Sequence, residues 1–264
     1  MTFCTCNFFS KSLKNHVSVN VLIPSLPDNS CLHADYDEIY PSGRLHKTLY
    51  LLHGALDDYS CWMRHTAIER YAEEKGIAVV MPSGQNGFYS DAKYGLDYFT
   101  FITEELPRFV QGTFHLSPRR EDNFIAGPSM GGYGASKCAL SRPDLYAAFA
   151  DLSGAVDPGM LEPRMTAMGF DFFRYDLIFG GADKVAGTKD DLYRLAGALK
   201  DAPVKPSAWV FCGLEDVTNY DMNRRFYDTL RAAGVPAVFH DGHGGHDWPY
   251  WDSCIATFLK ELTI

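Results

Sequence analysis

The stretch Asn123-Phe124-Ile125-Ala126-Gly127-Pro128-Ser129-Met130-Gly131-Gly132-Tyr133-Gly134 decides how the rest of the chain is read. Asn123 to Gly127 is an apolar run of strand length, and Gly132 to Leu140 carries helical periodicity with Gly and Ala on its early turns. A serine between a strand and a helix, on a turn lined by glycines, is the arrangement of a nucleophile elbow. The Gly-x-Ser-x-Gly pattern alone is weak, because chance produces it in roughly one chain in ten of this length. Its context makes it informative. Gly127, Gly131, Gly132 and Gly134 keep bulk away where helix and strand approach, and the helix N-terminus sets the Met130 N–H beside any oxyanion formed at Ser129. The same glycines do not make Gly-x-Gly-x-x-Gly, nor do they follow a first strand, so dinucleotide binding fails on spacing and on position.

Outward from that turn, the chain alternates strand-like and helix-like runs. Val17 to Ile23 alternates and is expected as an edge strand. Thr48 to His53, Ala78 to Met81, Ala147 to Leu152, Ala208 to Gly213 and Ala237 to His240 are short apolar runs of the kind covered on both faces. Thr66–Lys75, Asp97–Gln111, Met222–Ala233 and Asp252–Leu262 have helical periodicity. The alternation predicts an α/β fold, a doubly wound and mostly parallel sheet with helices on both faces, in one domain over 1–264. Pro24–Lys47 is expected as a long connection or hairpin. The stretch 156–206 is expected either as a cap-like excursion over the site or as two ordinary surface helices.

A serine nucleophile needs a base, and the base needs an orienting carboxylate. In this topology they follow in the order Ser, Asp, His. Asp216 ends the strand Ala208–Gly213 and is the expected acid, with Glu215 beside it as the alternative. After Ala237–His240 comes a glycine-rich loop in which His246 is the expected base and His243 and His240 are its competitors. A second oxyanion donor is expected from the N–H of Ala55 or Leu56, in the loop after Leu51-Leu52-His53-Gly54. His53 itself is expected to fix that loop by hydrogen bonding rather than to carry protons. Trp62, Phe88, Tyr89 and Trp248 are the aromatic candidates for narrowing an acyl pocket to short chains, although core packing suits each of them individually better.

Composition limits the partners. The 264 residues are 46% hydrophobic, enough for a large core, and the formal charge of -9 makes nucleic acid or an anionic membrane a poor partner. The expected partner is a small-molecule ester, and a homo-oligomer is compatible with the composition. Met1 to Ser10 lacks the basic start and long apolar stretch of a signal peptide, and no apolar run is long enough to span a bilayer. Seven scattered cysteines suit a reducing cytosol, so the expected location is cytoplasmic. Cys4 and Cys6 have no second pair to complete a four-ligand zinc site, and neither metal nor organic cofactor is expected.

With these residues placed, the chain resembles the esterase D family of α/β-hydrolases, and within it the bacterial tributyrin esterases. The resemblance runs along nearly the whole chain, through Cys6–Ser10, Lys47–Gly54, Ile68–Glu73, Tyr94–Phe99, Glu104–Pro107, Ser129–Gly134 and Gly245–Trp248. It implies an α/β-hydrolase fold, hydrolysis of short acyl esters and a triad of Ser129, Asp216 and His246. S-formylglutathione hydrolases lie within the same resemblance, and feruloyl or acetylxylan esterases are the next reading. An acyltransferase, or a non-catalytic binding protein on the same scaffold, is the reading from a different class. Two departures stand out: Pro128 before the nucleophile, where the family usually has a non-proline residue, and His243, where a non-titrating residue is common.

Overall fold

Successive strand residues point to opposite faces, and here both sets are apolar, so each strand must be covered on both sides. The computed structural model describes residues 1–263. Their strands form one eight-stranded sheet in the order β1-β2-β4-β3-β5-β6-β7-β8. β1 (Thr2–Ser10) and β2 (Asn15–Ile23) make an antiparallel hairpin, and β2 runs antiparallel to β4 (Ala78–Pro82). From there β4, β3 (Thr48–Leu51), β5 (Asn123–Pro128), β6 (Ala148–Leu152), β7 (Ser207–Gly213) and β8 (Ala237–Gly242) pair in parallel.

The edge is therefore β1, not the stretch Val17–Ile23, which lies one strand inward. β1 has no continuous apolar run because rim residues need not be covered, and its residues are mostly exposed or half-buried. Pro24–Lys47 is a connection rather than a hairpin, and carries two single-turn helices, α1 (Asp28–Cys31) and α2 (Tyr36–Ile39).

Next along the chain come α3 (Cys61–His65), α4 (Ile68–Lys75) and α5 (Tyr98–Thr100). α5 passes through a π turn, Phe101–Glu105, into α6 (Leu106–Thr113). Pro107 stands at the start of α6 without an N–H to continue the α ladder, which accounts for the local change of winding. α7 (Met130–Ser141) follows β5. The stretch 156–206 holds α8 (Pro158–Ala167), α9 (Tyr175–Ile178) and α10 (Leu192–Ala198). α11 (Tyr220–Ala232) and α12 (Trp248–Glu261) complete the chain.

Two apolar layers sandwich the sheet. On one side Tyr50, Val80, Ile125, Phe149 and Val210 meet residues of α6, α7, α10 and α11. On the other, Leu49, Val79, Phe124, Ala150 and Phe211 meet residues of α3, α4 and α12. Neighbours on a strand thus divide between the two layers, as the doubly wound expectation requires. Among the described residues no helix is long and apolar enough to cross a membrane.

Candidate active site

The loops that leave the C-terminal ends of β3, β5, β7 and β8 converge on Ser129. Open parallel sheets bind their ligands at this edge, because the loops there are free to vary while the strands hold them in place. Ser129 lies between β5 and α7 with φ 52° and ψ -118°. That region costs a side-chain-bearing residue about 1–3 kcal/mol and persists only when the surroundings enforce it. They do so here by close approach. A Cβ on Gly127 would come within 2.6 Å of the Gly131 carbonyl carbon, and one on Gly131 within 2.7 Å of the His53 carbonyl oxygen. The Ser129 N–H donates to Leu152 O (2.9 Å), and the Ser129 carbonyl accepts from Ala155 N–H (3.0 Å) and Tyr133 N–H (3.1 Å).

Pro128 fits this turn for a reason of parity. Leu52 N–H donates to Ala126 O, while Ser129 N–H donates to Leu152 O. The backbone groups of Ala126 and Pro128 therefore face β3, and those of Gly127 and Ser129 face β6. The β3–β5 pairing ends at Leu51 and Ala126. An N–H at position 128 would face Leu52 O, the next acceptor of that ladder, but this carbonyl already accepts from the Trp62 indole N–H (2.8 Å), so the proline leaves no acceptor unmet.

Asp216 and His246 complete a relay. His246 Nε2 lies 2.9 Å from Ser129 Oγ, and His246 Nδ1 lies 2.8 Å from Asp216 Oδ2. An ionised carboxylate only accepts, so Nδ1 carries the hydrogen and the Nε2 lone pair faces the serine hydroxyl. Asp216 is buried, whereas the His246 side chain is 37% exposed. The competitors are spent elsewhere. Glu215 accepts from His243 Nδ1 (2.9 Å) and from Gly244 N–H (2.6 Å) at the surface, and this pairing raises the His243 pKa. His240 stacks on Phe211, with ring centroids 4.8 Å apart, and faces Glu261. The loops after β7 and β8 are laced together by Leu214 N–H to Gly242 O (2.8 Å) and Glu215 N–H to Gly244 O (3.2 Å), which fixes Asp216 relative to His246.

The oxyanion side separates two residues that the sequence leaves equal. The Leu56 N–H donates to Asn86 Oδ1 (2.9 Å), so it is already engaged. Among the described residues, nothing accepts from the N–H groups of Ala55 or Met130. A methyl placed on Gly54 would lie 3.7 Å from Ser129 Cβ, so this loop sits directly against Ser129. His53 holds the loop from beneath. Gly84 N–H donates to its Nε2 (2.7 Å), which leaves Nδ1 to donate to Gly54 O (2.6 Å). Burial lowers its pKa to about 4, so the ring is neutral and both nitrogens are occupied, as expected of a loop anchor.

A cavity of about 380 Å³ opens on Ser129 and His246. Leu161, Met165, Phe170, Phe172, Phe173 and Trp251 wall it. Most of that wall comes from α8 and the turn after it, within 156–206. None of the four candidate aromatics lines this cavity, and core packing, the reading that suits each individually better, holds for them. Trp62, Phe88 and Tyr89 are fully buried in the two layers, where the Trp62 indole N–H donates to Leu52 O (2.8 Å) and the Tyr89 hydroxyl to His53 O (2.9 Å). Trp248 packs between Trp62, His65 and Trp251.

Asn219 is the supporting residue that the sequence hides. Its N–H donates to Asp216 Oδ1 (3.2 Å), and its side-chain amide donates to Ser153 O (2.8 Å) in the loop after β6. It stands just before α11 and reads as an ordinary helix cap, yet its side chain caps nothing.

Residues 10–262 match the Esterase family model. The chain is 30% identical to the acetyl esterase of Caldicellulosiruptor saccharolyticus over 270 residues, covering all of this chain and 98% of that protein. Among solved structures, it is 35% identical to the fluorophosphonate-binding serine hydrolase FphF of Staphylococcus aureus, with a TM-score of 0.84 and coverage of 98% and 97%. It is equally identical (35%) to the S-formylglutathione hydrolase FrmB of the same organism, with a TM-score of 0.82 and the same coverage. The chain belongs to the Esterase family of serine hydrolases with the α/β-hydrolase fold.

Proposed function

We propose that the chain is a serine carboxylesterase that hydrolyses short-chain acyl esters, tributyrin among them, through an acyl-enzyme on Ser129. One observation carries the reading: the unbroken relay from Asp216 through His246 to Ser129, opening beside two free N–H groups onto an apolar cavity. His246 Nε2 takes the hydroxyl proton as Ser129 Oγ attacks the ester carbonyl, while Asp216 holds the Nδ1–H tautomer and stabilises the imidazolium. The N–H groups of Met130 and Ala55 meet the oxyanion, each contributing about 3 kcal/mol to the transition state. The alcohol departs with the proton from Nε2. Water then attacks the acyl-enzyme and gives a proton to Nε2, which passes it to Ser129 Oγ as the C–Oγ bond breaks, leaving a carboxylic acid and free Ser129.

The apolar wall of 156–206 suits the acyl group, which makes that excursion the limit on chain length. The compartment proposed for it is the reducing cytosol, where seven free thiols persist. Thioester hydrolysis is the second reading, favoured by the likeness to FrmB, because the same relay serves an acyl thioester. Rates on nitrophenyl esters from acetate to octanoate, on S-formylglutathione and on methyl ferulate test the proposal. The expected result is a maximum at the short nitrophenyl esters. Equal rates from acetate to octanoate would contradict the short-chain limit, and a maximum at S-formylglutathione would favour the second reading.

A further inference from the structure

Beyond the apolar cavity, a second and polar depression of about 290 Å³ is lined by Leu56, Asp57, Asp58, Ser60, Arg64 and His65, with Cys61 at its floor. Asp57 lines both spaces, and apart from His246 it is the only ionisable residue on the wall of the first. Its neighbour Asp58 is tied to Ser60 by the backbone N–H (2.8 Å) and the hydroxyl (2.7 Å). Among the described residues, by contrast, no donor or cation meets the Asp57 carboxylate within bonding distance. It is half-buried. Burial raises its pKa, while His65 and Arg64 act in the opposite direction.

The departing atom is the one that His246 protonates, so the leaving group lies on the base's side of the nucleophile. Trp248, two residues after His246, stacks on His65 with ring centroids 4.9 Å apart, so the polar depression borders the loop that carries the base. On this arrangement the acyl group would take the apolar cavity and the leaving group would pass Asp57, which lines both spaces.

Resting on the esterase reading above, we propose that Asp57 determines leaving-group specificity, admitting neutral or cationic alcohols and thiols and discriminating against anionic ones. Arg64 and His65 act on this carboxylate only at longer range, with no direct ion pair, so it still repels a second anion brought against it in a partly desolvated site, and the overall charge of -9 acts in the same direction. Glutathione, with two carboxylates and one ammonium, belongs to the disfavoured class.

S-acetylglutathione and its diamide make a matched pair, since both transfer the same acetyl group from the same thiol and differ only in charge. At pH 8 and low ionic strength, kcat/KM for the wild type should favour the diamide by about tenfold. That preference should shrink towards parity in Asp57→Asn and in Asp57→Ser, and should weaken in wild type as salt is added. The same ratio in both variants as in wild type would overturn the proposal, as would a wild-type preference for the anionic thioester. Nitrophenyl acetate is run in parallel. Wild type that fails on it would overturn the esterase reading and this proposal with it. Normal turnover of it with an unchanged charge ratio overturns this proposal alone.

Discussion

His53 is the residue whose chemistry is set most completely by its surroundings. Both ring nitrogens are used, one accepting from Gly84 and one donating to Gly54, and burial lowers its pKa to about 4. A histidine depressed in the fold takes its proton more readily when unfolded, where its value is about 6.5. Its stabilising contribution is therefore full above about pH 6.5 and is lost as pH falls from there through about 4. Urea unfolding near pH 7.5 and pH 4.5 should show wild type losing about 2–3 kcal/mol more than His53→Gln over that interval. Equal losses in the two proteins would mean that the ring is not held neutral. The acid assignment is also a residue-scale matter. Asp216→Asn should lower kcat on the order of 10⁴-fold by favouring the wrong tautomer of His246, whereas Glu215→Gln, which disturbs only the surface contacts to His243 and the Gly244 N–H, should change it by less than about threefold.

At the scale of elements, the elbow is held by a loop that follows a neighbouring strand. Ala155 N–H bonds the Ser129 carbonyl, Asn219 bonds Ser153 two residues earlier, and Asn219 N–H bonds Asp216. The loops after β5, β6 and β7 are thus one hydrogen-bonded unit. Asn219→Asp keeps the shape but cannot donate to Ser153 O. It should lower kcat by about tenfold or more with little change in KM, and shift the acid limb of the pH–rate profile as Asp216 loosens its hold on His246. A loss confined to thermal stability, with the pH profile unmoved, would reduce Asn219 to a packing residue. Elements that face two layers were legible from sequence, because continuous apolar runs such as Ala78 to Met81 have few other uses. β1 was not, because an edge strand with mostly exposed or half-buried residues carries no such run. The π turn at Phe101–Glu105 was hidden for another reason, since helical periodicity survives one extra residue in a turn.

For the molecule as a whole, the sheet order brings four loops to one edge, and chain order alone was enough to place Ser129, Asp216 and His246 among them. The walls of the cavity were not legible. Aromatic content near the motifs pointed to Trp62, Phe88, Tyr89 and Trp248, but large aromatics beside a sheet pack into its layers first, and three of these four are fully buried. The wall comes instead from α8 and the turn beyond it, a stretch whose sequence has no strand signal and whose path depends on tertiary contacts. Pro128 reverses that case: it departs from the usual pattern in sequence, yet the carbonyl that its missing N–H would have met, Leu52 O, is taken by the Trp62 indole. The central claim is that Ser129 is the nucleophile that this whole arrangement serves. Its most direct test is peptide mapping by mass spectrometry after reaction with a fluorophosphonate, alongside ester turnover by Ser129→Ala. The account predicts a single adduct on Ser129, no adduct in the variant, and a fall in hydrolytic rate on the order of 10³-fold or more. An adduct on another residue, or a variant that keeps its rate, would contradict it.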